Sequence, residues 1–402
     1  MTYVALSAAF LGGALLVAAI AVVRVAVVAG AGALAAVARR WWLPALVAAA
    51  VVLLLTALFD NLMIAAGLMA YASKHLSGLH IARAPLEDFA YPVAALVLLP
   101  SLWSLFGALR LPAHTVSRLA AVSRPVSWIN TAFPFAAAYY LSIREVDAVL
   151  VVGTVFFLVP YNLAMYGVND VFDYESDLAN PRKGGIEGAM LDRRLHRVTL
   201  VAAIAVCVPF VIALVLMGTP AAWAALAVSL FAVAAYSVPG LRFKERPFLD
   251  SATSSTHFVS PAVVGLALAD AAWTPALVAL LAAFFLWGVG SHAFGAVQDI
   301  VPDREGGIGS VATVMGARWT VRFAIAAWLA AGLLMLTTPW PGPLAGLLAL
   351  PYIAIAMPYR SVGDERSASA NRAWRRFIWL NYASGFLVTL ILISYVIERP
   401  LS

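Results

Sequence analysis

Apolar runs of about 20 residues recur along nearly the whole chain, separated by short polar or basic segments. Each run is long enough to cross a hydrocarbon core of about 30 Å as a helix. Three spans are predicted at 3–23, 42–59 and 89–109. Nine more are predicted at 127–142, 147–168, 198–217, 221–238, 255–272, 275–294, 323–338, 343–358 and 377–397. The stretch 25–38 is apolar but short, rich in Ala and Gly, and bracketed by Arg24 and Arg39–Arg40; it reads as an extension of the first helix or an interfacial segment. The ten-residue alternation of a membrane barrel does not occur. The expected fold class is all-α: a polytopic membrane protein of about twelve transmembrane helices, three plus nine.

Composition sharpens this. Of 402 residues, 63% are hydrophobic and 11% charged, against roughly half and about a quarter in soluble domains. A soluble enzyme, a disordered scaffold and a secreted disulfide module are excluded. The single cysteine, Cys207, has no intrachain partner and is expected as a small core residue. The first run lacks a basic n-region, so no cleavable signal peptide is expected.

The net charge of +6 does not point to nucleic acid, because the basic residues lie in loops between spans. One set of alternate loops holds Arg182, Lys183, Arg193, Arg194, Arg197, Arg242, Lys244 and Arg246. It continues through Arg304, Arg318, Arg322, Arg360, Arg366, Arg372, Arg375 and Arg376, whereas the opposite loops contribute only Arg144. Positive residues are retained on the cytoplasmic side. The basic loops are therefore expected in the cytoplasm and both termini outside, in a multi-pass cell-membrane protein. The polar, basic segment 110–126 suggests a boundary, giving a three-span unit at 1–112, a linker at 113–126 and a nine-span unit at 127–402.

Two acidic clusters sit at span ends on the basic face. Asn169, Asp173 and Asp177 are spaced i, i+4, i+8, and Asp299 and Asp303 are again i, i+4, with Pro302 able to bend or begin the helix there. Carboxylates crowded on one face repel unless a cation lies between them. Oxygen-only ligands suit Mg²⁺ together with the oxygens of a phosphate ligand. The bland alternative, a solvated acidic helix end, fits one such cluster. It fits two on one face less well, since Arg182 and Lys183 follow the first and Arg304 the second. The loop from Tyr236 to Asp250 adds Arg242, Lys244 and Arg246. Metal plus cations facing an apolar cavity would bind a diphosphate and stabilise its departure.

The motifs N-x-x-x-D-x-x-x-D, Y-S-x-P…R-x-K and D-x-x-x-D at these positions resemble those of the UbiA superfamily of intramembrane prenyltransferases, over residues 124–398. The resemblance implies a UbiA-like helical bundle that ionises an allylic diphosphate, with Mg²⁺ held by the Asp-rich motifs. Carried onto this chain, Asn169, Asp173, Asp177, Asp299 and Asp303 would be the catalytic metal ligands. Arg182, Lys183, Tyr236, Arg242, Lys244 and Arg304 would contact the diphosphate; Asp250 matches the middle motif. The strings SRPVSWINTAFPFAAAYYL at 123–141 and HAFGAVQDIVPDREGGIGSVATVMG at 292–316 resemble the carotenoid (lycopene) elongases, which transfer dimethylallyl groups from dimethylallyl diphosphate to lycopene, giving C50 carotenoids. Gln298, Ile300 and Val301 depart from a more acidic pattern. A quinone or other aromatic prenyltransferase shares the metal site and is the competing expectation. A secondary transporter is disfavoured, since no two six-span halves are alike and the acids cluster at one face.

Ionisable residues also stand at membrane boundaries near the N-terminus: Asp60 beside Asn61, and Glu87 with Asp88. They can serve as helix caps or first-turn acids, or mark a functional site. The order TALFDNLMIAAG at 56–67 and GLHIARAPLEDFAYP at 78–92 resembles the small three-span lycopene cyclase subunits, including their P-x-E-[DE] signature. Those subunits act in pairs, which implies a second small cyclase subunit or self-association. Cyclisation is proton-initiated, so the resemblance makes Glu87 the acid, helped by Asp88 and by Asp60. An apolar setting is expected to keep such a carboxyl protonated. His75 and His80 are expected in the connecting loop. Elongase and cyclase activities on one chain are mutually consistent, because the C45 or C50 product of one is the substrate of the other and neither leaves the bilayer.

Overall fold

The computed structural model describes residues 3–29, 31–67, 69–71, 76–108, 113–174 and 191–397. Helices dominate, and the chain divides into two compact units, Met1–Val116 and Ser117–Ser402. Eight helices among the described residues are long and apolar enough to cross a membrane, with shorter apolar helices at Phe10–Val23 and Pro343–Tyr359. The fold is that of an all-α, multi-pass membrane protein.

In the first unit α1 (Tyr3–Ala29) packs on α2 (Ala31–Ala65) and α3 (Ala90–Ala108). Residues 31–38 therefore belong to the second helix, and only 25–29 extend the first. Between α2 and α3 lies a two-residue antiparallel ladder, β1 (His80–Ile81) on β2 (Ala84–Pro85), turned at Ala82 with φ 55°. A 3₁₀ turn, Leu86–Phe89, leads into α3.

The expected linker 113–126 is instead ordered. It forms α4 (Ala113–Val122) and enters a 3₁₀ turn at Pro125–Ser127, and Val122 is fully buried in the second unit's core. Leu119 and Val122 of this helix pack into that core, in a segment that composition alone reads as a linker. The bundle follows as α5 (Ile129–Ile143), α6 (Ala148–Leu158), α7 (Pro160–Phe172), α8 (Arg193–Met217), α9 (Pro220–Ser237) and α10 (Leu249–Leu268). Then come α11 (Pro275–Ala296), α12 (Ile300–Glu305), α13 (Val311–Met335), α14 (Pro343–Gly346), α15 (Ala349–Ala356) and α16 (Asn371–Ile397). Helix starts carry local signals. Thr219 and Thr274 cap α9 and α11 just before Pro220 and Pro275, and Ser310 forms a reciprocal capping box with Thr313 at α13. Pro160 begins α7, and α6 with α7 together form one membrane-length apolar span, Ala148–Phe172, where a span is predicted at 147–168.

Two apolar clusters hold the bundle. Phe135, Phe156, Phe157 and Tyr161 centre the half built from α5 to α10, with Cys207 at its edge as expected. Phe294, Trp328, Tyr352 and Phe377 centre the half built from α11, α13, α15 and α16. Large apolar side chains such as Leu216 and Trp379 face outward, a surface suited to lipid. Helix α10 is buried yet rich in Ser and Thr, so it does not count among the strongly apolar spans. Gly265 of α10 lets α5 approach: a Cβ there would lie 2.8 Å from the Phe135 carbonyl oxygen. Gly265→Ala is expected to destabilise the bundle by about 1–3 kcal/mol through overpacking, read as a fall in thermal midpoint in detergent.

Candidate active site

A cavity of about 1740 Å³ lies in the second unit. It is lined along α11 from Leu277 to Gly295, nearly the full length of a helix about 33 Å long. Leu280, Phe284, Trp287 and Phe377 make most of that stretch apolar. At the C-terminal end of α11 the lining turns polar, with Asn169, Asp173, Tyr236, Lys244, Asp299 and Asp303.

These side chains arrive from four places, Tyr236 from the last turn of α9. Asn169 lies on the last turn of α7 and Asp173 is its C-cap. Asp299 closes the 3₁₀ turn Val297–Asp299 that follows α11, and Asp303 sits on α12. Pro302 occupies the first turn of α12, so it begins that helix. Lys244 lies in the 3₁₀ turn Phe243–Glu245 between α9 and α10. The two acidic motifs, far apart in sequence, thus share one cavity.

Asn169 Oδ1 accepts a hydrogen bond from Ser237 Oγ at 3.0 Å, which orients the amide. Asp173 is buried and ion-paired with Lys244. Burial pushes the Lys244 ammonium down to about 8, against the opposing pull of Glu245, Asp170 and Asp303. Among the described residues, no three His, Cys, Asp or Glu side chains converge tightly enough to hold a metal as they stand. The donor chemistry nevertheless fits a hard divalent cation: one amide oxygen and three carboxylates on one cavity wall. Lys244 supplies a positive charge at that wall, against Asp173.

Other predicted residues stand elsewhere. Asp177, Arg182 and Lys183 lie outside the described residues. Arg304 is exposed and does not line the cavity; it donates to Asp364 Oδ2 at 2.7 Å and to the Thr313 carbonyl. Its guanidinium ties α12 to α13 and to the turn Asp364–Ala370. Arg242 likewise does not line the cavity and pairs with Glu245. Asp250 is fully buried and accepts from Val311 N at 2.7 Å, joining the starts of α10 and α13. Gln298 is buried and accepts from Asn371 Nδ2 at 2.5 Å, which gives its departure from an acidic pattern a packing role.

Sequence reasoning missed three polar side chains lining the cavity. Arg124 donates to Asp170 Oδ1 at 2.9 Å and lies over the Tyr166 ring, 4.3 Å from its centroid. His292 bonds Tyr236 OH and Ser251 Oγ, each at 3.1 Å. His257 is buried on α10, edge-to-face with Tyr236. For His257 and His292, isolated His residues in apolar runs were the available signal.

In the first unit Glu87 is buried, and its Oε1 accepts from Ser77 N at 2.5 Å. That N–H stabilises a carboxylate and works against the neutral form expected from burial alone. Oε2 has no hydrogen-bond partner among the described residues. Asp88 Oδ2 accepts from Tyr71 OH at 2.6 Å. Asn61 braces the hairpin, donating to Ile81 O at 3.0 Å and accepting from Arg83 N at 2.5 Å. Asp60 is half-buried on α2; His80 is exposed on β1, and His75 lies outside the described residues.

Residues 131–381 match the model of the UbiA prenyltransferase family. The chain belongs to that family. Within it, the chain is 48% identical over 397 residues to a C(50) beta-cyclic carotenoids biosynthesis protein, LbtBC, of Dietzia sp. (strain CQ4), covering 89% of this chain and 92% of that one. It is 47% identical to a lycopene elongase/hydratase of Corynebacterium glutamicum, over 68% of this chain and 95% of the relative. A lycopene elongase/hydratase of Haloferax volcanii is 32% identical over 68% of this chain and 87% of its own length. A solved digeranylgeranylglyceryl phosphate synthase shares the UbiA fold, with TM-score 0.50 and 15% identity over 71% of this chain and all of that one. The protein is a UbiA-type prenyltransferase with lycopene-elongase relatives.

Proposed function

We propose that the second unit transfers dimethylallyl groups from dimethylallyl diphosphate to lycopene, and that the first unit is one subunit of a proton-initiated carotenoid cyclase. The observation that carries the first part is a single cavity joining an acid-and-lysine end to an apolar lining along α11. An anionic leaving group and a long hydrocarbon acceptor need those two surroundings at once.

Asn169, Asp173, Asp299 and Asp303, with Asp177, would hold Mg²⁺. When bound, the metal would neutralise the diphosphate oxygens as the allylic C–O bond breaks. Ser237 fixes the Asn169 amide for that task. Lys244, released from Asp173 by the incoming metal and anion, would hold a diphosphate oxygen. The apolar lining keeps water from the allylic cation until the terminal double bond of lycopene attacks it. Arg182 and Lys183 would add positive charge to that grip from the segment after α7. Basic residues Lys244, Arg246 and Arg318 accompany the acidic end, which supports a cytoplasmic-facing site.

The cyclase part is supported by the buried Glu87, whose Oε2 has no hydrogen-bond partner among the described residues. It is also supported by the Dietzia relative, whose 92% coverage spans both units. A second small cyclase subunit, or a second copy of this chain, would complete that site.

The test incubates membranes carrying the chain with labelled dimethylallyl diphosphate, lycopene and Mg²⁺. Labelled C45 and C50 carotenoids are expected, and chelation of Mg²⁺ should abolish them. Label appearing only with a longer polyprenyl diphosphate and an aromatic acid would replace this function with quinone-type prenylation.

The Lys244 ammonium sets a pH dependence. It is charged below about 8 and neutral above, so kcat/KM for the diphosphate should fall as pH rises through about 8. Lys244→Arg, charged throughout, should shift that fall upward; an unchanged profile would remove Lys244 from the grip.

A further inference from the structure

Attack of an alkene on an allylic cation leaves a new carbocation in the cavity, and the reaction ends only when a base removes a proton beside it. At the polar end Asp173 is paired with Lys244, and Asp299 and Asp303 also have partners. His292 is also engaged, with one ring nitrogen on Tyr236 OH and the other on Ser251 Oγ. His257 differs. It lines the cavity and is 4% exposed, and its Nε2 makes no hydrogen bond among the described residues. In the tautomer with the ring proton on Nδ1, Nε2 carries a free lone pair. The Tyr236 ring holds it edge-to-face, with centroids 5.3 Å apart.

A buried ring nitrogen without a partner is unfavourable unless a ligand uses it. Its place on the lining suits a base: Tyr236 links it to the diphosphate end, while Phe258, its neighbour on α10, and Trp287 belong to the apolar stretch. We propose that His257 is the base that ends prenyl transfer, which rests on the elongase activity proposed above. The lycopene π bond forms the new C–C bond as the C–O bond to diphosphate breaks and diphosphate departs with the electron pair. A C–H bond next to the resulting cationic carbon then gives its proton to Nε2, and its electron pair becomes the new C=C bond. The imidazolium passes the proton to diphosphate as the products leave, so no oxidant or reductant is needed. A base at this point favours loss of a proton over capture of water, and His257 thereby sets the ratio of olefin to alcohol.

The experiment uses the full chain in membranes, supplied with labelled dimethylallyl diphosphate and lycopene. It compares wild type, His257→Phe and His257→Gln, measuring diphosphate release alongside olefinic and hydroxylated carotenoid. Both variants should keep diphosphate release within about threefold of wild type. Olefinic product per diphosphate should fall at least tenfold, with label diverted to hydroxylated carotenoid and dimethylallyl alcohol. An unchanged product ratio in both variants would overturn the assignment and leave diphosphate itself as the base. Diphosphate release falling in step with product in both would overturn it in favour of a structural role. Failure of wild type to elongate lycopene would remove the proposed activity, and the role of His257 with it.

Discussion

Asp299→Ala is expected to reduce elongation by about 10³-fold or more while leaving the bundle folded. Single preorganised electrostatic contacts in active sites are worth about 10²–10³ in rate, and Asp299 would serve both a metal and the charge it neutralises. Asp299 is half-buried, lines the cavity and closes the 3₁₀ turn between α11 and α12. Removing it deletes negative charge facing the diphosphate site without opening an apolar core. The companion substitution Asp173→Ala should match it in rate, and it also frees Lys244 from its ion pair. Asp250→Ala is the contrasting case. It leaves the buried Val311 N–H without its acceptor, at a cost of about 1–3 kcal/mol, and should show first as a lowered thermal midpoint. The measurement is labelled carotenoid formed per unit of folded protein, beside melting in detergent. Near-normal turnover in Asp299→Ala would remove the second acidic motif from catalysis.

The acidic motifs were legible because their information is local. Asn169 to Asp173 and Asp299 to Asp303 are each one helical turn apart, and a helix end brings such pairs together whatever the rest of the bundle does. Eight of the predicted spans were legible for a similar reason, since length and apolarity are properties of one segment. Residues defined by distant partners were not. Arg124 reads as part of a basic linker until Asp170, 46 positions on, meets it in the core. Arg304 follows an acidic motif in sequence and looks like part of the diphosphate grip, yet Asp364, 60 positions on, captures it. Helix α10 shows the same limit in another form. Its Ser, Thr and His residues weaken the membrane signal, but packing among α5, α9 and α11 buries them. His257 and His292 gain meaning only from the cavity they share with Tyr236.

On the proposed cyclase function, Glu87→Ala, with elongation intact, is expected to leave acyclic C50 carotenoid in place of cyclic product. Ring closure begins with a proton delivered to a terminal double bond and ends with a proton lost, so it needs an acid and no redox change. Glu87 is buried, and Oε2 is free to carry that proton among the described residues. Ser77 N holds the other oxygen at 2.5 Å, which fixes the carboxyl's direction but also favours its ionised form. Asp88, held by Tyr71 OH at 2.6 Å, places a second negative group next door, and like charges in close quarters favour protonation of one of them. Glu87→Gln keeps shape and loses the acid, so it should match Glu87→Ala, with a loss of cyclic product of about 10²-fold or more, the usual worth of a positioned acid. Asp88→Asn should act more weakly, by easing that repulsion. Pigment mass analysis in a lycopene-making host with the partner subunit present reads all three at once. Normal cyclic product from Glu87→Ala would end the cyclase assignment and leave the prenyltransferase function standing.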